Sequence, residues 1–520
     1  MADRRSSSEV HLDVSAGRER GEAAPDSETP FRILILGDFS GRANRKAMEI
    51  GDAIANRRPI VIDRDNFDAV FTKLAPRLDL VLGGGDGYLD TLTFSELDDF
   101  HPDRIFQKVQ LFRKLRDTRE KLSDPATFKK TAGELGMRDE RPSTAAPPAR
   151  QRVASAEVEQ LASGNLLDKM LDETEAQSAK PRPSRAPDEL TSLVHRIVAP
   201  HVVDKADPRQ AEMVALMDMA TSAQMSALLH LPNVQALESA WRAVYFLVRN
   251  VETDTRLKLF LVDLSMEELA ADLASSEDLR LTGIYRLLVE KTVGTPGAEP
   301  WAVVAGNYTF GATTEDATTV GRMAKIAAAA GAPFLSGADL ELVGCDSIAD
   351  LPDPRQWKTP VPAEAARTWS IVRHLAVAPY VGLVMPRFLV RLPYGKDTEA
   401  TELFEFDELQ DPINHEDYLW ANPAFAAVLL LAQSYAEQGW GLHPGALSEI
   451  RGLPVHIYKE DGESRAQPCA EVLMTQTAAE DILEKGIMVL ASLKDQPAAR
   501  LLRFQSIADP LTPLAGRWTG

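Results

Sequence analysis

Apolar runs bounded by turn residues predict the first folded element of the chain. Residues 31–36 read Phe-Arg-Ile-Leu-Ile-Leu, and Gly-Asp-Phe-Ser-Gly follows at 37–41. A short apolar run that ends in glycine is typical of a buried strand followed by a tight turn. The stretch FRILILGDFSGR therefore predicts a core strand and its turn.

The next pattern is helical. Apolar residues recur at helical spacing in this order: Phe67, Val70, Phe71, Leu74 and Leu78. Such spacing predicts an amphipathic helix, and Asp65 or Asn66 stands where its N-cap is expected.

Near the start of the chain, EVHLDVS alternates apolar and polar positions, which puts Val10, Leu12 and Val14 on one face of a candidate strand. A disordered tail is the alternative there.

Composition shifts divide the chain into folded regions and polar connections. The stretch RDERPSTAAPPARQR is rich in Pro, Ala and charge, which is typical of an exposed linker, and AQSAKPRPSRAPDE forms a second polar gap. The predicted regions are an N-terminal extension (1–30), a folded domain (31–125), a linker (126–157), a helix (158–176), a main domain (190–450) and a C-terminal domain (451–520).

The stretch VEQLASGNLLDKMLDETEA, between the two gaps, predicts a short amphipathic helix. Asn165 is suited to cap it, and Leu166, Leu167, Met170 and Leu171 form one apolar stripe. An isolated helix this short is marginal in water, so the stripe needs a groove to cover it. The groove belongs either to the same chain or to a partner.

Charge and hydropathy exclude several classes of function. The 77 acidic and 57 basic residues give a formal charge of −20, which opposes binding to nucleic acid. No stretch approaches the roughly 18 apolar residues of a membrane span, and no apolar segment follows the basic residues of MADRRSSSEV. We therefore expect a cytoplasmic protein that does not insert into membranes. The two cysteines, Cys345 and Cys469, supply neither a disulfide framework nor a metal-ligand spacing.

Catalytic and nucleotide-binding motifs fail on their spacing. A P-loop requires Gly-Lys-Ser/Thr, but Gly41 is followed by Arg42 and Ala43. A dinucleotide turn requires a second glycine that GDFSG lacks, and the GGGDG at 83–87 precedes a strand-like run rather than a helix. DRDNFD at 63–68 lacks the glycine of a calcium loop, and HEDYL lacks the second histidine of a zinc-protease helix. We expect no catalytic, cofactor or metal site.

Several long phrases resemble one family. FRILILGDFSGR, PIVIDRDNFDAVFTKLAPRLDL and LTFSELDDFHPDRIFQKVQLFRKLRDTREKL resemble the small subunit of the bacterial type VI secretion contractile sheath, in the family's order. LPNVQALESAWRAVYFLVRNVETDTRLKLFLVDLSMEEL is similar to the helix-strand entry motif of the large sheath subunit, and AKIAAAAGAPFLS and APYVGLVMPRFLVRLPYG match further phrases of it. The family usually has two chains, whereas here one chain contains both.

The resemblance implies a mechanical function. Region 31–125 would be the small-subunit domain, and 190–450 and 451–520 the two large-subunit domains, in an α/β fold with several mixed-sheet domains. Subunits of this family stack as hexameric rings around an inner tube, polymerise on a baseplate and contract, without a cofactor. An AAA+ unfoldase then dismantles the contracted sheath by gripping a large-subunit helix, which LLDKMLDETE resembles, and neighbouring subunits exchange terminal strands.

Two alternatives to the type VI sheath stay open at this stage. The chain could be the sheath of a phage-tail-like particle, or an α/β enzyme whose site is too dispersed to see in one sequence.

In PRFLVRLPYG, Arg387 and Arg391 lie among apolar residues. Since a buried guanidinium is costly unless paired, we expect each to meet a carboxylate within the main domain or at a subunit interface.

Overall fold

A computed structural model describes Pro25 and residues 28–82, 88–135, 210–410, 412–460 and 462–519. The candidate strand with Val10, Leu12 and Val14 and the candidate helix at 158–176 lie outside these residues. No helix within the described residues is both long enough and apolar enough to cross a membrane.

The strands fall in both the N-terminal and the C-terminal described ranges. They are β1 (Phe31–Gly37), β2 (Ile60–Ile62), β3 (Arg77–Leu82), β4 (Tyr88–Thr93), β5 (Leu257–Asp263), β6 (Val303–Phe310), β7 (Phe334–Ala338), β8 (Val381–Met385), β9 (Phe388–Leu389), β10 (Trp420–Ala421), β11 (Glu449–Arg451), β12 (Ile457–Glu460), β13 (Glu463–Ala466), β14 (Ile487–Ser492) and β15 (Ala498–Leu501).

A nine-stranded sheet forms the centre, in the order β11-β15-β14-β8-β7-β6-β1-β5-β2. The strands from β14 to β5 in this order are parallel, whereas β2, β15 and β11 pair antiparallel at the two edges. The pairs β3–β4, β9–β10 and β12–β13 form separate two-stranded sheets. The mixed α/β fold that the sequence predicts is confirmed.

Helices cover both faces of the large sheet. They are α1 (Asp52–Ala55), α2 (Phe67–Leu74), α3 (Pro102–Lys108), α4 (Gln110–Ser123), α5 (Phe128–Glu134), α6 (Gln210–Leu229), α7 (Pro232–Asn250), α8 (Met266–Ala274), α9 (Gly283–Tyr285, continued by a π-helical turn, Arg286–Glu290), α10 (Thr314–Ala330), α11 (Ala363–Arg373), α12 (Ala424–Gln438) and α13 (Gln476–Glu484).

The predicted strand at 31–36 is confirmed as β1, and it lies inside the core. Ile33 and Ile35 belong to the apolar cluster that includes α7 and α12, whereas Leu34 and Leu36 belong to the cluster that includes α8 and α10. Both faces of β1 are therefore covered, which explains why its sequence is apolar at successive positions rather than alternating.

The predicted helix near residue 67 is confirmed as α2, but its N-terminus differs from the prediction. Asn66 occupies the N-cap position without capping the helix amides; its side-chain carbonyl accepts from the Asp63 amide at 3.0 Å. The Asp63 carboxylate in turn accepts from the Asp65 and Asn66 amides. Leu78 belongs to β3 rather than to the helix, because the left-handed conformation of Ala75 ends α2.

Three predicted regions contribute to the same large sheet. β1 and β2 come from 31–125, β5 to β8 from 190–450, and β14 and β15 from 451–520. The domain boundaries read from the sequence stay a prediction, but the main sheet is shared across them.

Candidate functional site: the junction between the N-terminal and C-terminal parts

The junction joins residues 28–135, here called the N-terminal part, to residues 210–519, the C-terminal part. Its centre is β1, which lies between β5 and β6. β1 pairs with β5 in parallel from Phe31↔Leu257 to Gly37↔Asp263, and with β6 from Ile33↔Val303 to Leu36↔Gly306. Because both neighbours of β1 come from the C-terminal part, the N-terminal strand is an interior strand of the sheet.

The turn after β1 is held by carboxylates. The Asp38 carboxylate accepts from the backbone amides of Arg42 and Ala43 at 2.6 and 2.8 Å. The Asp263 carboxylate, from the end of β5, accepts from the amides of Phe39 and Ser40 at 2.8 and 3.1 Å and from the Ser40 hydroxyl at 2.8 Å. Burial raises the pKa of Asp263 above its ordinary value, although the Ser40 hydrogen bond opposes the shift.

These contacts confirm that GDFSG forms a turn. An anion site uses free amide groups that point into an opening. Here four amides of residues 39–43 already donate to carboxylates, so the turn binds one protein part to the other rather than a phosphate.

An aromatic cluster fixes the same turn from the other side. The Trp241 indole N–H, on α7, donates to the Phe39 carbonyl oxygen at 2.8 Å. The Trp241 ring packs against Phe39, Phe67 and Phe71, with ring centroids 4.4 to 5.7 Å apart. Trp241 is fully buried, so one side chain of the C-terminal part fills the core of the N-terminal part.

A buried glutamate joins two arginines across the junction. Glu268 lies in the first turn of α8, where it exchanges capping bonds with Ser265. Its Oε1 lies 2.7 Å from Arg42 Nη2 and 2.6 Å from Arg57 Nη2. Burial alone would raise the pKa of Glu268, but the hydrogen bonds from Arg42 and Arg57 outweigh it and lower that pKa to about 2.

Further contacts extend the junction to the helices. Arg119 on α4 forms an ion pair with Asp218 on α6. The Asp103 carboxylate accepts from the backbone amides of Glu402 and Leu403 at 2.9 and 3.1 Å. The N-terminal part is therefore bound along the loop at 400–407 as well as through the sheet.

Arg391 lies inside the C-terminal part between two carboxylates. Its Nε is 2.7 Å from Glu238 Oε1, and its Nη1 is 2.7 Å from Glu408 Oε2. Arg242 also contacts Glu238, at 2.6 Å. Only 6% of the Arg391 side chain is exposed. Burial alone would raise the pKa of Glu238, but Arg391 and Arg242 outweigh it and hold that pKa below its ordinary value.

Arg387 pairs with two carboxylates but is less buried. Its Nη1 and Nη2 lie 2.9 and 2.8 Å from the two oxygens of Glu416, and its Nε contacts Glu471. Its side chain is 37% exposed. The structure thus places Arg387 at the surface end of PRFLVRLPYG and Arg391 in its interior.

Within the described residues, no group of His, Cys, Asp and Glu side chains is placed to hold a metal ion.

Comparisons with known proteins match both parts of the chain to sheath families. Residues 211–508 match the VipB (EvpB) tail sheath N-terminal domain, and residues 8–134 match the type VI secretion system VipA family. The chain belongs to the VipB tail sheath family of the type VI secretion system. It is a fused structural subunit of a contractile sheath, with VipA-type and VipB-type regions in one chain, and the phage-tail-like alternative is not favoured.

Two sheath proteins of Pseudomonas aeruginosa are similar to these regions. The type VI secretion system sheath protein TssC1 is 31% identical over 376 residues, which are 69% of this chain and 75% of TssC1. The sheath protein TssB1 is 33% identical over 106 residues, which are 19% of this chain and 59% of TssB1. The matched families are structural, and sheath subunits of this kind self-assemble.

The family assignment explains the junction. β1 is a strand of the VipA-type region inside the sheet of the VipB-type region. Sequence reasoning identified the strand but missed Asp263 and Glu268, which hold the turn and the arginines after it. The Ser265-x-x-Glu268 pattern is a capping-box signature that predicts the start of α8. No local pattern predicts that Glu268 also binds Arg42 and Arg57, because those residues are distant in sequence.

Proposed function

We propose that this sheath subunit polymerises as stacked hexameric rings around an inner tube on a baseplate, in the cytoplasm of a bacterium. Contraction of the polymer would drive the tube and its effectors into a target cell, without a cofactor. The observation that carries the proposal is the position of β1 between β5 and β6, because it builds the VipA-type and VipB-type regions of one chain into a single sheet.

Fusion fixes the ratio of the two regions at one to one. A covalent connection converts the association of two chains into an intramolecular event, at an effective concentration in the millimolar range for a flexible linker. The contractile step would use subunit interfaces with two discrete arrangements, since packed interfaces switch rather than deform continuously.

We further propose that the ends of the chain connect neighbouring subunits. The alternating residues Val10, Leu12 and Val14 would add a strand to a sheet of the next subunit, through directional backbone hydrogen bonds. The helix at 158–176 would be hidden in the extended sheath and exposed on contraction. The AAA+ unfoldase would then bind its apolar stripe: Leu166, Leu167, Met170 and Leu171.

Electron microscopy of the purified chain tests this function. The full chain should form long hollow cylinders, whereas a chain without residues 1–16 should stay folded and form none. Compact small oligomers from the full chain would contradict the sheath function itself. Normal cylinders from the truncated chain would contradict only the proposed strand exchange.

A further inference from the structure

Two apolar side chains are exposed on the segment between the turn after β1 and helix α1. Met48 is 57% exposed and Ile50 is 47% exposed. A third exposed apolar side chain, Leu281 at 66%, lies in the 3₁₀ turn Leu279–Leu281 of the C-terminal part. These three residues, Met48, Ile50 and Leu281, are here called the apolar junction surface, because they come from both parts of the chain.

The two segments that carry this surface meet at a direct backbone contact. A Cβ on Gly283 would lie 2.2 Å from the carbonyl oxygen of Gly51. The Asp272 carboxylate accepts from the amides of Gly51 and Gly283, at 2.6 and 3.0 Å. Ile50 directly precedes Gly51 in the chain. Leu281 lies two residues before Gly283, so the apolar residues of the two parts flank the same contact.

The backbone between the two exposed residues of the N-terminal part is held in place. The Glu49 amide donates to Glu268 Oε1 at 3.1 Å. The Glu49 carboxylate lies 2.9 Å from Arg42 Nη2 and 2.7 Å from Arg57 Nη2. A backbone that is already anchored loses little further conformational entropy on binding, so the side chains on either side of Glu49 are preorganised for contact with a partner.

Charged side chains surround the apolar junction surface. Asp52 pairs with Arg286, and Asp278 pairs with Arg280 at 2.8 Å. Lys46 is also exposed. An apolar centre with a polar rim is the usual anatomy of a protein–protein interface. Four of these five charges are paired within the chain, so they oppose burial of the centre less than unpaired charges would.

We propose that the apolar junction surface is a contact to a second copy of this chain in the sheath polymer. The chain belongs to a family whose subunits self-assemble, so each copy has to present surfaces to its neighbours. Exposed apolar side chains on a fixed backbone are typical of such surfaces. A neighbour bound here contacts both parts at once, and it therefore recognises a chain whose VipA-type and VipB-type regions are correctly joined.

The size of the surface suits a contact that forms only in the polymer. Three side chains bury far less than the roughly 800 Å² per partner of a stable complex between two proteins. Small contacts become effective when several act together between copies that are already held side by side. We therefore expect the surface to be open in the unassembled chain and closed after polymerisation.

Maleimide labelling of the full chain before and after assembly tests the proposal. A thiol is introduced by Ile50→Cys and, as a reference, by Met219→Cys. Met219 is 62% exposed on α6, which packs into the apolar cluster on the other side of β1 from α8. Both native cysteines are buried and should not react. The two thiols should react at similar rates in the unassembled chain. On assembly the thiol at 50 should react at least tenfold more slowly, and the thiol at 219 less than threefold more slowly.

Three results of the labelling would overturn the proposal. Protection of the thiol at 50 in the unassembled chain would show that a segment of the same chain covers the surface. Unchanged reactivity at 50 after assembly would show that no neighbour covers it. Equal protection at 50 and 219 would show that assembly shields the chain without regard to position.

Aspartate substitutions give an independent measurement on both halves of the surface. Ile50→Asp and Leu281→Asp should each reduce the polymer that pellets in the ultracentrifuge at least tenfold, because they place a charge in the apolar centre. Met219→Asp is the matched control and should pellet like the unaltered chain. The labelling experiment decides the question if an aspartate variant does not fold.

The outcomes separate this surface from the function on which it rests. The proposal depends on the proposed polymerisation, so compact oligomers from the unaltered chain would contradict both. Normal yields of cylinders from Ile50→Asp or Leu281→Asp would overturn the contact and leave the sheath function in place.

Discussion

Glu268 forms the central ion pairs of the junction. It is fully buried, and it binds Arg42 and Arg57 of the N-terminal part while it caps α8 of the C-terminal part. Removing one partner of a buried ion pair leaves the other charges desolvated and uncompensated, which is why such substitutions are more costly than the loss of a surface pair.

The first prediction is that Glu268→Gln destabilises the chain by roughly 3 kcal/mol at pH 7, the equivalent of lowering the carboxyl pKa from 4.5 to about 2. Thermal unfolding should show a midpoint lowered by several degrees. Glu267→Gln, at the exposed neighbouring position, is the matched control and should leave the midpoint unchanged. Equal midpoints for the two variants would contradict the role of Glu268.

The same substitution predicts a pH dependence. A carboxyl whose pKa is depressed in the folded state stabilises the fold above its unfolded pKa, and the effect is lost as pH falls through its folded pKa. For Glu268 that interval runs from 4.5 down to about 2. The difference in midpoint between the unaltered chain and Glu268→Gln should therefore be complete above pH 5 and shrink towards pH 2. A difference that does not change over this range would contradict the assignment.

The arginines of PRFLVRLPYG give a second prediction at this scale. Arg391→Ala leaves Glu238 and Glu408 buried without their shared cation, and should cost about 3–5 kcal/mol. Arg387→Ala should cost less, since its side chain is partly exposed. Arg355→Ala, on an exposed side chain, should change little. Denaturant unfolding measures the order, and an unchanged stability in Arg387→Ala would refute the proposed support from its ion pairs.

The sequence identifies Arg387 and Arg391 as residues that need carboxylate partners, but it does not identify those partners. A guanidinium among apolar residues predicts a carboxylate nearby, because burial without one is too costly. Which carboxylate meets it depends on the fold: Glu238, on α7, is far from Arg391 in sequence. Local pattern carries no information on such a distant pair.

At the scale of elements, the turn between β1 and the helices illustrates a close backbone approach. Gly41 has φ near +78°, and a Cβ there would overlap the carbonyl oxygen of Arg77 at the start of β3. Gly297 has nearly the same φ but no atom within 4 Å of the corresponding Cβ position. Comparing the two positions therefore separates the free-energy cost of a side chain at positive φ from the cost of its contact with the Arg77 backbone.

The third prediction compares alanine at these two positions. Gly297→Ala should cost about 1 kcal/mol, the usual penalty for a side chain at positive φ. Gly41→Ala should cost at least twice as much, since the Arg77 backbone has to move as well. Thermal midpoints of the two variants test this, and equal shifts would show that the turn tolerates the contact.

The fourth prediction concerns the candidate helix at 158–176. A peptide of these residues should bind the N-terminal domain of the unfoldase, because its leucines and Met170 need a groove to cover them. Leu167→Asp with Leu171→Asp should abolish binding by placing charge on that stripe. Calorimetry of both peptides measures this binding. Equal affinities, or no affinity for either, would exclude this helix as the element that the unfoldase binds.

Elements differ in how far sequence predicts them. The apolar run of β1 and the helical spacing of α2 are local patterns, and both elements form, although α2 lacks the predicted side-chain cap and ends before Leu78. The position of β1 between β5 and β6 was beyond local pattern, because parallel pairing joins segments more than 200 residues apart and has no short-range sequence code. The resemblance to sheath subunits identified the two regions without locating that pairing.

At the scale of the whole molecule, one sheet unites the VipA-type and VipB-type regions. An interior strand cannot leave a sheet without exposing two rows of backbone hydrogen-bonding groups, so the small and large regions should act as one rigid subunit. The charge of −20 favours solubility of the separate subunits until specific interfaces overcome the repulsion. We therefore expect the single chain to be the repeating unit of the polymer.

A cryo-electron microscopy reconstruction of the assembled chain, at a resolution that separates strands, tests this expectation most directly. We predict a hollow cylinder built from rings of six, in which each repeating unit is one chain with β1 between β5 and β6. Compact particles without a central channel would contradict it. So would a cylinder in which β1 lies outside the large sheet.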